Sequence, residues 1–361
     1  MYDDPSSPLN FKASNVQAGR VKVREWDPQT ASATEIGSIV ALLNEAMAVD
    51  LPHDPLWCDG SMREYLAVTM PGERKTMWLA EETTGDAVRG VPPLGQASVL
   101  FVGDIGVVDI IVHPKARRLG VGRTLLAEAV RRARSEGFPA LGAEVPGDTS
   151  GVDFCRHYGF TCAFTEIRSV LDLSSVDWYS LGENAARVGA GYRLEFYAGG
   201  PPEHLFAAYA AAKAEVREAY DLGDLELRPS SYEPERLRAS IDTLAARGLK
   251  LYVVLALHES SGDVAGLTEV VVPAQHPCRA DQYDTVVVPR HRGYGIGRAI
   301  KARMLFELRS AEPGIHQVQT WNAAINEPLI RVNQELGFVA DRQWLEYEAN
   351  ISDLARRLGI S

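Results

Sequence analysis

The chain has 361 residues, which is long for a single hydrophobic core and sufficient for two. With 46% hydrophobic and 24% charged residues, its composition is that of an ordinary folded protein. The formal net charge of −11 argues against a nucleic-acid partner, whose phosphates it would repel, and mildly favours a cationic small molecule such as an amine.

Export, membrane insertion and metal binding are also disfavoured. The N-terminus has no basic segment followed by an apolar one, and no apolar run approaches the roughly 18 residues of a membrane span. The four cysteines form no Cys-x-x-Cys pair, and no histidines stand at zinc-finger spacing. We therefore expect a cytoplasmic protein with free thiols, no bound metal and no membrane partner.

The N-terminal half follows a loose arm over residues 1–20. Apolar residues at helical spacing from Ile36 to Met47 predict a first helix, whose N-cap is Ser32 or Thr34. Further helices are predicted up to Gly137 and up to Gly159-Phe160, and strands at Val21–Trp26, Met77–Glu81, Gln96–Val102, Val107–Val112, Ala140–Val145 and Phe164–Leu173.

Residues 176–191 carry turn formers without a clear period, which predicts a linker. The pattern then restarts, with strands at Tyr192–Tyr197, Tyr252–Leu257, Ala265–Val272, Tyr283–Val288, His316–Trp321 and Trp344–Ala349. Helices are predicted over Pro202–Glu218 and Glu233–Ala246, around Ile300–Leu308, and up to Gly337-Phe338. We therefore predict two α/β domains, 21–175 and 192–361, each an α+β layer with a mixed sheet of about six strands.

One segment occurs twice at a constant offset of 175 residues: DIIVHPKARRLGVGR over 109–123 and DTVVVPRHRGYGIGR over 284–298. The identical pairs are Asp109/Asp284, Val112/Val287, Pro114/Pro289, Arg117/Arg292, Gly120/Gly295, Gly122/Gly297 and Arg123/Arg298. Each copy is an apolar strand followed by a glycine-rich turn and a helix. Such a turn presents backbone N–H groups at the positive end of the helix dipole, which predicts a phosphate site in each half. Neither copy fits the dinucleotide or the nucleotide-triphosphate motif.

At these residues the chain resembles the GNAT superfamily of acetyl-CoA-dependent N-acyltransferases, in a tandem form distantly similar to mycothiol synthase. The family signature, Arg/Gln-x-x-Gly-x-Gly/Ala, corresponds to RRLGVG (117–122) and RGYGIG (292–297). The later Gly-Phe of the family corresponds to Gly159-Phe160 and Gly337-Phe338, which follow the turns by 37 and 40 residues. The resemblance therefore covers both halves.

The resemblance implies that the turn amides hold the pyrophosphate of CoA and that the preceding strand pairs with its pantetheine arm. The thioester then lies where that strand splays from the next one. In the C-terminal half the implied cofactor residues are Val287, Val288, Arg292, Gly293, Tyr294, Gly295, Ile296, Gly297, Arg298, Asn326 and Asn333. In the N-terminal half they are Ile111, Val112, Arg117, Arg118, Leu119, Gly120, Val121, Gly122 and Arg123.

The chain departs from the family pattern at the proton donor. Many members have a Tyr four residues before the Gly of Gly-Phe, and its hydroxyl protonates the departing CoA thiolate. This chain has Cys155 and Asn333 at those positions. A thiol can donate a proton, whereas an amide cannot usefully do so. Asn333 either hydrogen-bonds the cofactor or has a structural role in its helix.

Acyl transfer to an amine needs a carboxylate, acting directly or through a water, that takes the proton from the incoming ammonium. The candidates are Asp281, Glu269 and Asp284. Asp281 stands where similar enzymes often have this base, while Asp284 recurs as Asp109 and also suits a structural hydrogen bond. The offset of 175 pairs Asp281 with Gly106, so a base is missing from the first half unless another Asp substitutes.

The resemblance implies transfer of an acetyl or short acyl group from acetyl-CoA to a primary amine of a small molecule. The C-terminal half is the expected catalytic one, and the first half binds CoA or only supports its partner. Two alternatives remain: a mycothiol-synthase-like enzyme with an amino-sugar conjugate as acceptor, and a non-catalytic acyl-CoA sensor or scaffold. Two halves in one chain fit either a monomer or a homodimer.

Overall fold

The computed structural model describes residues 21–83, 92–219 and 233–360, so the predicted arm over residues 1–20 lies outside it. The strands are β1 (Val21–Glu25), β2 (Arg74–Glu82), β3 (Gly95–Val102), β4 (Ile105–Val112), β5 (Ala140–Pro146), β6 (Thr161–Asp172), β7 (Tyr192–Ala198), β8 (Leu249–His258), β9 (Val264–Pro273), β10 (Arg279–Val287), β11 (Gln317–Ala323) and β12 (Val339–Asn350). The helices are α1 (Ala33–Asp50), α2 (Met62–Ala67), α3 (Val121–Ser135), α4 (Ser150–Tyr158), α5 (Trp178–Ala186), α6 (Glu203–Ala219), α7 (Pro234–Ala246), α8 (Ile296–Ala311), α9 (Glu327–Glu335) and α10 (Ile351–Leu358).

The described strands form one mixed sheet in the order β1-β2-β3-β4-β5-β12-β6-β11-β10-β9-β8-β7. Two neighbouring pairs, β4–β5 and β10–β11, are parallel, and the other pairs are antiparallel. The predicted fold class, an α/β protein with a mixed sheet, is confirmed. The two predicted layers are joined edge to edge into a single sheet.

The two halves exchange their last strands. β12, the last strand in sequence, lies between β5 and β6, and β6 lies between β12 and β11. The N-terminal part of the sheet is therefore closed by a strand from the C-terminal half, and the reverse also holds. The predicted boundaries, 21–175 and 192–361, describe a repeat along the chain and do not separate two self-contained sheets.

Residues 176–191, predicted as an irregular linker, contain helix α5. Its N-terminus is capped by Asp177, whose carboxylate accepts hydrogen bonds from the backbone N–H groups of Tyr179 and Ser180. Leu181 is buried in the core beneath α8. In the same way α10 follows β12 and packs on α3. Each half thus gives its partner a strand together with the helix that follows it.

Helices cover both faces of the sheet. On one face α3, α4 and α10 pack against the N-terminal part, while α5, α8 and α9 pack against the C-terminal part. On the other face, which we call the α1/α6 face, α1 and α2 cover the N-terminal part, and α6 and α7 the C-terminal part. Among the described helices, none is long and apolar enough to cross a membrane.

A buried ion cluster joins the halves on the α1/α6 face. Asp54, from the segment between α1 and α2, accepts hydrogen bonds from Arg168 of β6 at 2.6 Å and from Arg279 of β10 at 2.9 Å. Arg168 also contacts Asp341 of β12. Asp54, Arg168 and Arg279 have side-chain exposures of only 4–6%. Because a buried charge is costly without its partner, this cluster holds the two halves in register.

Most predicted elements are confirmed to within a few residues. Ser32 is the N-cap of α1 and forms a capping box with Glu35. The sequence predicts β10 from Tyr283, but the strand begins at Arg279, so Asp281 lies within it. The sequence does not predict the helices α2, α5 and α10, which are short and lack a clear helical period. The nine-residue helices α4 and α9 are predicted because a Gly-Phe pair marks the end of each.

Candidate active site

The two glycine turns have the same fold. Each one follows a strand and begins a helix, with Gly120 (φ 87°) before α3 and Gly295 (φ 74°) before α8. In each turn an arginine, Arg117 or Arg292, donates from Nε to the carbonyl five residues earlier, at 3.3 Å in both cases. The repeat in sequence is therefore a structural repeat, and each copy ends at the amide-rich start of a long helix.

The strand before each turn separates from its parallel neighbour. β4 pairs with β5 only over Ile105–Val107, and β10 pairs with β11 only over Arg279–Gln282. The later residues Ile111–Val112 and Val287–Val288 lie beyond the point of separation. The predicted splay is thus confirmed in both halves, whereas binding of a pantetheine arm along it stays a prediction.

The strands before the two turns, β4 and β10, differ at one point. β4 pairs with β3 without interruption along its whole length. In β10 the register shifts between Gln282 and Thr285, so that Tyr283 and Asp284 together face Glu269 of β9. This is a β-bulge, a feature that bends a strand and redirects its side chains. It lies at the point where β10 leaves β11.

The bulge changes the counterpart of Asp281. The constant sequence offset predicts Gly106, but the bulge adds one residue to β10. Positions can be counted by the pairing partners on the neighbouring strand. The partners of Asp281 and Val287 are five residues apart on β9, and the partners of Val107 and Val112 are five residues apart on β3. The first half therefore has an apolar Val107 at the structural position of Asp281. The conclusion that a carboxylate is missing there holds, although the predicted residue was wrong.

A cleft of about 390 Å³ opens at the bulge on the α1/α6 face, and we call it the bulge cleft. Its volume lies in the lower part of the range of about 300–1,000 Å³ that is typical of small-molecule sites. The lining residues are Tyr209 and Lys213 of α6, Leu237, Ser240, Ile241 and Leu244 of α7, Leu251, Glu269, Gln282, Tyr283, Asp284 and Trp321 of the strands, and Met70 from the first half. Two of the three candidate bases thus line one cleft beside the splayed strands.

A buried lysine joins these two carboxylates. Nζ of Lys213 lies 2.7 and 2.8 Å from the carboxylate oxygens of Glu269 and 2.7 Å from Oδ2 of Asp284. The hydroxyl of Tyr209 also donates to Glu269. Burial raises the pKa of Glu269, while Lys213 opposes the rise and Asp284 adds to it. Burial acts to lower the pKa of Lys213, but the two carboxylates outweigh this effect and hold it well above its usual value.

Asp281 lies beside the bulge cleft and not in its lining. It is opposite Val271, whose side chain belongs to the core beneath α6 and α7, so Asp281 shares the α1/α6 face with Glu269. Its Oδ1 accepts a hydrogen bond from Nε2 of Gln319 at 2.7 Å. Burial raises the pKa of Asp281, although the hydrogen bond and the nearby Arg279 act in the opposite direction.

The positions of the missing tyrosine have structural roles. Asn333 is buried and donates from Nδ2 to Oδ1 of Asn322 at 2.6 Å, while Asn326 is the N-cap of α9. Cys155 is buried, and burial raises the pKa of its thiol to about 12. The thiol therefore keeps its proton at neutral pH and is a weak acid, and its role as proton donor stays a prediction. A role of Asn333 or Asn326 in cofactor binding stays a prediction.

The surroundings of the two turns also differ. Arg117 forms a two-pronged ion pair with Asp50, at 2.8 and 2.6 Å. Arg292 is exposed, and no ion pair to it occurs within the described parts of the chain. In the first half the ring of Phe154 packs against Gly122, so that a Cβ added at Gly122 would lie 3.0 Å from a ring carbon. In the second half a cleft of about 270 Å³ opens instead between Arg298 and α9.

Lys213 and Tyr209 were missed by the sequence reasoning. They occur one helical turn apart on the inner face of α6, within an alanine-rich stretch. Lysine is almost never fully buried unless it is paired, so its occurrence on an otherwise apolar helix face was a usable signal. The pairing partners on β9 and β10 could not be read from the sequence, because the bulge brings them together.

Comparisons with known proteins agree with this geometry. A model described as the acetyltransferase (GNAT) family matches residues 38–160. A mycothiol acetyltransferase of Sanguibacter keddieii is 27% identical over 64% of this chain and 70% of the relative. One of Pseudarthrobacter chlorophenolicus is 26% identical over 72% of this chain and 75% of the relative.

Solved structures extend the match to both halves. A tandem GNAT protein from the clavulanic acid biosynthesis pathway has a TM-score of 0.77 at 25% identity, covering 92% of this chain and 98% of that one. A GCN5-related N-acetyltransferase from Sphaerobacter thermophilus has a TM-score of 0.66 at 16% identity, over 92% and 96% of the two chains, and supports the fold alone. Residues 38–160 thus match the GNAT acetyltransferase family, and the chain, with its duplicated turn, splayed strands and exchanged closing strands, has the fold of a tandem GNAT acyltransferase.

Proposed function

We propose that the C-terminal half transfers an acetyl group from acetyl-CoA to a primary amine of a small molecule. The observation that carries the proposal is the β-bulge of β10, which lies at the splay and opens into a cleft lined by Glu269 and Asp284. It combines a gap for an extended thioester with a polar cavity for an amine. The regular β4 of the first half lacks the bulge.

The residues around the second turn fit CoA. Gly295 has a positive φ, Arg292 is exposed, and the cleft beside Arg298 is open. Backbone N–H groups at the start of α8, together with Arg292, would hold the pyrophosphate, while Arg298 beside them is paired with Glu335. Bound there, acetyl-CoA supplies an acetyl group already activated as a thioester, so a covalent enzyme intermediate is not required.

We assign Asp281 as the general base. A base needs a lone pair for the incoming proton and a pKa close to the working pH. Both oxygens of Glu269 are engaged by Lys213, and one oxygen of Asp284 is engaged by the same ammonium. Asp281 is instead held by the neutral amide of Gln319, and burial raises its pKa. It acts directly or through one water, while the partly exposed Asp284 orients the ammonium of the acceptor.

The test is release of CoA thiol from acetyl-CoA with a panel of amines. We expect Asp281→Asn to lower kcat by about 10²–10⁴-fold, the usual contribution of general base catalysis. In the wild type kcat/KM should rise with pH as Asp281 loses its proton, and this rise should disappear in Asp281→Asn. Asp284→Asn should mainly raise KM for the amine, and Asp109→Asn, its counterpart in the first half, should leave turnover unchanged.

Two outcomes would contradict the proposal. Full activity of Asp281→Asn, with loss of activity in Glu269→Gln, would move the base to the lysine-linked pair. Tight binding of CoA without turnover of any amine would favour a sensor.

A second candidate acceptor, an amino-sugar conjugate, is favoured by the two curated relatives named mycothiol acetyltransferase.

A further inference from the structure

The bulge cleft has two chemically different ends. At one end, next to the splay, are the charged side chains of Lys213, Glu269 and Asp284. The other end is walled by aliphatic side chains, namely Leu237, Ile241 and Leu244 of α7, Leu251 of β8 and Met70 of the first half. These side chains belong to, or pack against, the core beneath α6 and α7. A ligand that fills the cleft therefore has one polar end and an apolar body.

The hydrogen-bond donors of the cleft wall are directed to acceptors of the protein itself. Lys213 is bonded to both carboxylates, and Tyr209 donates to Glu269. Oγ of Ser240 donates to the carbonyl of Arg236 at 2.9 Å. Nε2 of Gln282 donates to Oγ1 of Thr268 at 2.7 Å and to the carbonyl of Glu269 at 3.0 Å.

Two donors complete the lining. Nε1 of Trp321 has no hydrogen-bond partner in the described chain but lies beneath the cleft surface, where a ligand does not reach it. The side chain of Tyr283 is half-exposed at the rim. The interior of the cleft therefore offers few N–H or O–H groups to a ligand.

A carboxylate acceptor, in contrast, is available, because the side chain of Asp284 is 46% exposed. Oε1 of Gln282 is buried like Nε1 of Trp321, so a ligand does not reach it. Among the described residues, two carboxylates and one ammonium give the charged end a net charge of −1. A ligand that complements it brings N–H donors and one positive charge, which an alkylammonium group does.

We infer, on the basis of the proposed function, that the acceptor is a primary amine on an apolar, hydroxyl-poor body, bound with its ammonium at Asp284 and its body against α7. An amino sugar is a poor match, because its hydroxyl groups would face leucine and isoleucine side chains and lose their partners in water. The first half determines specificity through Met70, which closes the apolar end.

The test compares two primary amines, 2-phenylethylamine and glucosamine, in the thiol-release assay with the full chain. We expect kcat/KM for 2-phenylethylamine to be about a hundredfold higher, the factor that burial of a phenyl group provides. Ile241→Gln should raise KM for 2-phenylethylamine about tenfold but leave KM for methylamine, which does not reach α7, unchanged. Leu56→Gln, an exposed site (60%) outside the cleft, should change neither value.

The outcomes separate this inference from the proposed function. A kcat/KM for glucosamine equal to or above that of 2-phenylethylamine would overturn the apolar acceptor and leave amine acetylation intact. An equal rise in KM for methylamine and 2-phenylethylamine in Ile241→Gln would also overturn it, because the apolar wall would then have no selective role. Failure of every amine, with CoA still bound, would refute the proposed function itself.

Discussion

The two halves share a turn but differ in what surrounds it. In both, a glycine in the left-handed region begins the helix, and an arginine Nε closes the turn on a strand carbonyl. In the first half Arg117 is neutralised by Asp50, and Phe154 packs against the turn. In the second half Arg292 is exposed. A repeated motif therefore shows that two halves fold alike, and not that they bind alike.

The strands before the two turns differ in a parallel way. β4 is regular and has Val107 where β10 has Asp281. Ser98 of β3 lies opposite Asp109, and at the same position of the second half Glu269 lies opposite the bulge. The inner face of α1 is aliphatic, whereas that of α6 has Lys213. This contrast is what leads us to propose that the second half carries the chemistry and that the first half supports it.

The largest expected effect concerns the buried ion cluster of Asp54, Arg168 and Arg279. This cluster belongs to both halves, so it cannot be assigned to either side of the comparison. Asp54→Asn removes the carboxylate that Arg168 and Arg279 share. Loss of one partner of a buried ion pair costs about 3–5 kcal/mol, so the free energy of unfolding should fall by that amount. Urea unfolding monitored by tryptophan fluorescence should show one cooperative transition at lower denaturant.

Asp50→Asn is the control, because it breaks the more exposed pair with Arg117 and should cost about 1 kcal/mol or less. Two separate transitions, with only one of them displaced by Asp54→Asn, would show that the halves are stable on their own despite the exchanged strands.

A matched pair of glycine substitutions tests the difference between the turns. Gly120→Ala and Gly295→Ala each introduce a Cβ at a positive φ, which costs about 1–2 kcal/mol of stability. The Cβ at Gly295 also lies 3.3 Å from the carbonyl oxygen of Arg187, whereas nothing lies within 4 Å of one at Gly120, so Gly295→Ala should be the less stable variant. The Cβ at Gly295 should also block close approach of a diphosphate and lower turnover by about a hundredfold, the loss typical when one backbone donor is displaced. Gly120→Ala should leave turnover within about twofold. Equal loss of turnover in both variants would mean that the first turn takes part in the reaction.

The sequence predicts the strands, the long helices and the repeated turn well, because these depend on periodicity and on glycine and arginine at fixed spacing. It did not predict the exchange of β6 and β12, since pairing partners distant in sequence leave no local pattern. It also missed the bulge, and with it the correct counterpart of Asp281. Glu269 and Asp284 lie at the splay of β10, as the sequence predicts, but their link through Lys213 depends on the packing of α6 on the sheet.

The smallest expected effect sharpens the comparison between the two halves. Where the second half has Trp321 opposite Arg168, the first half has Glu144 of β5 opposite Glu346 of β12. Desolvation and the facing Glu346 raise the pKa of Glu144 to about 7, and desolvation with Glu346 and Glu144 does the same for Glu166. These carboxylates therefore repel one another, whereas Lys213 joins Glu269 and Asp284 in the second half.

A raised pKa makes the folded protein bind protons that the unfolded chain has already released. The free energy of unfolding should therefore fall as the pH rises from about 4.5, the ordinary value for Glu, to about 7, and then level off. Glu144→Gln removes one such group and its repulsion of Glu346. We expect the drop in Tm between pH 5 and pH 8 to be about 2 °C smaller in this variant, because solvent screens groups that are partly open to water. Glu235→Gln, at an exposed glutamate (85%) on α7, is the control and should retain the full drop. A drop that is unchanged in Glu144→Gln would mean that these carboxylates of the first half ionise freely, and the electrostatic contrast between the halves would then be confined to Lys213 and its two partners.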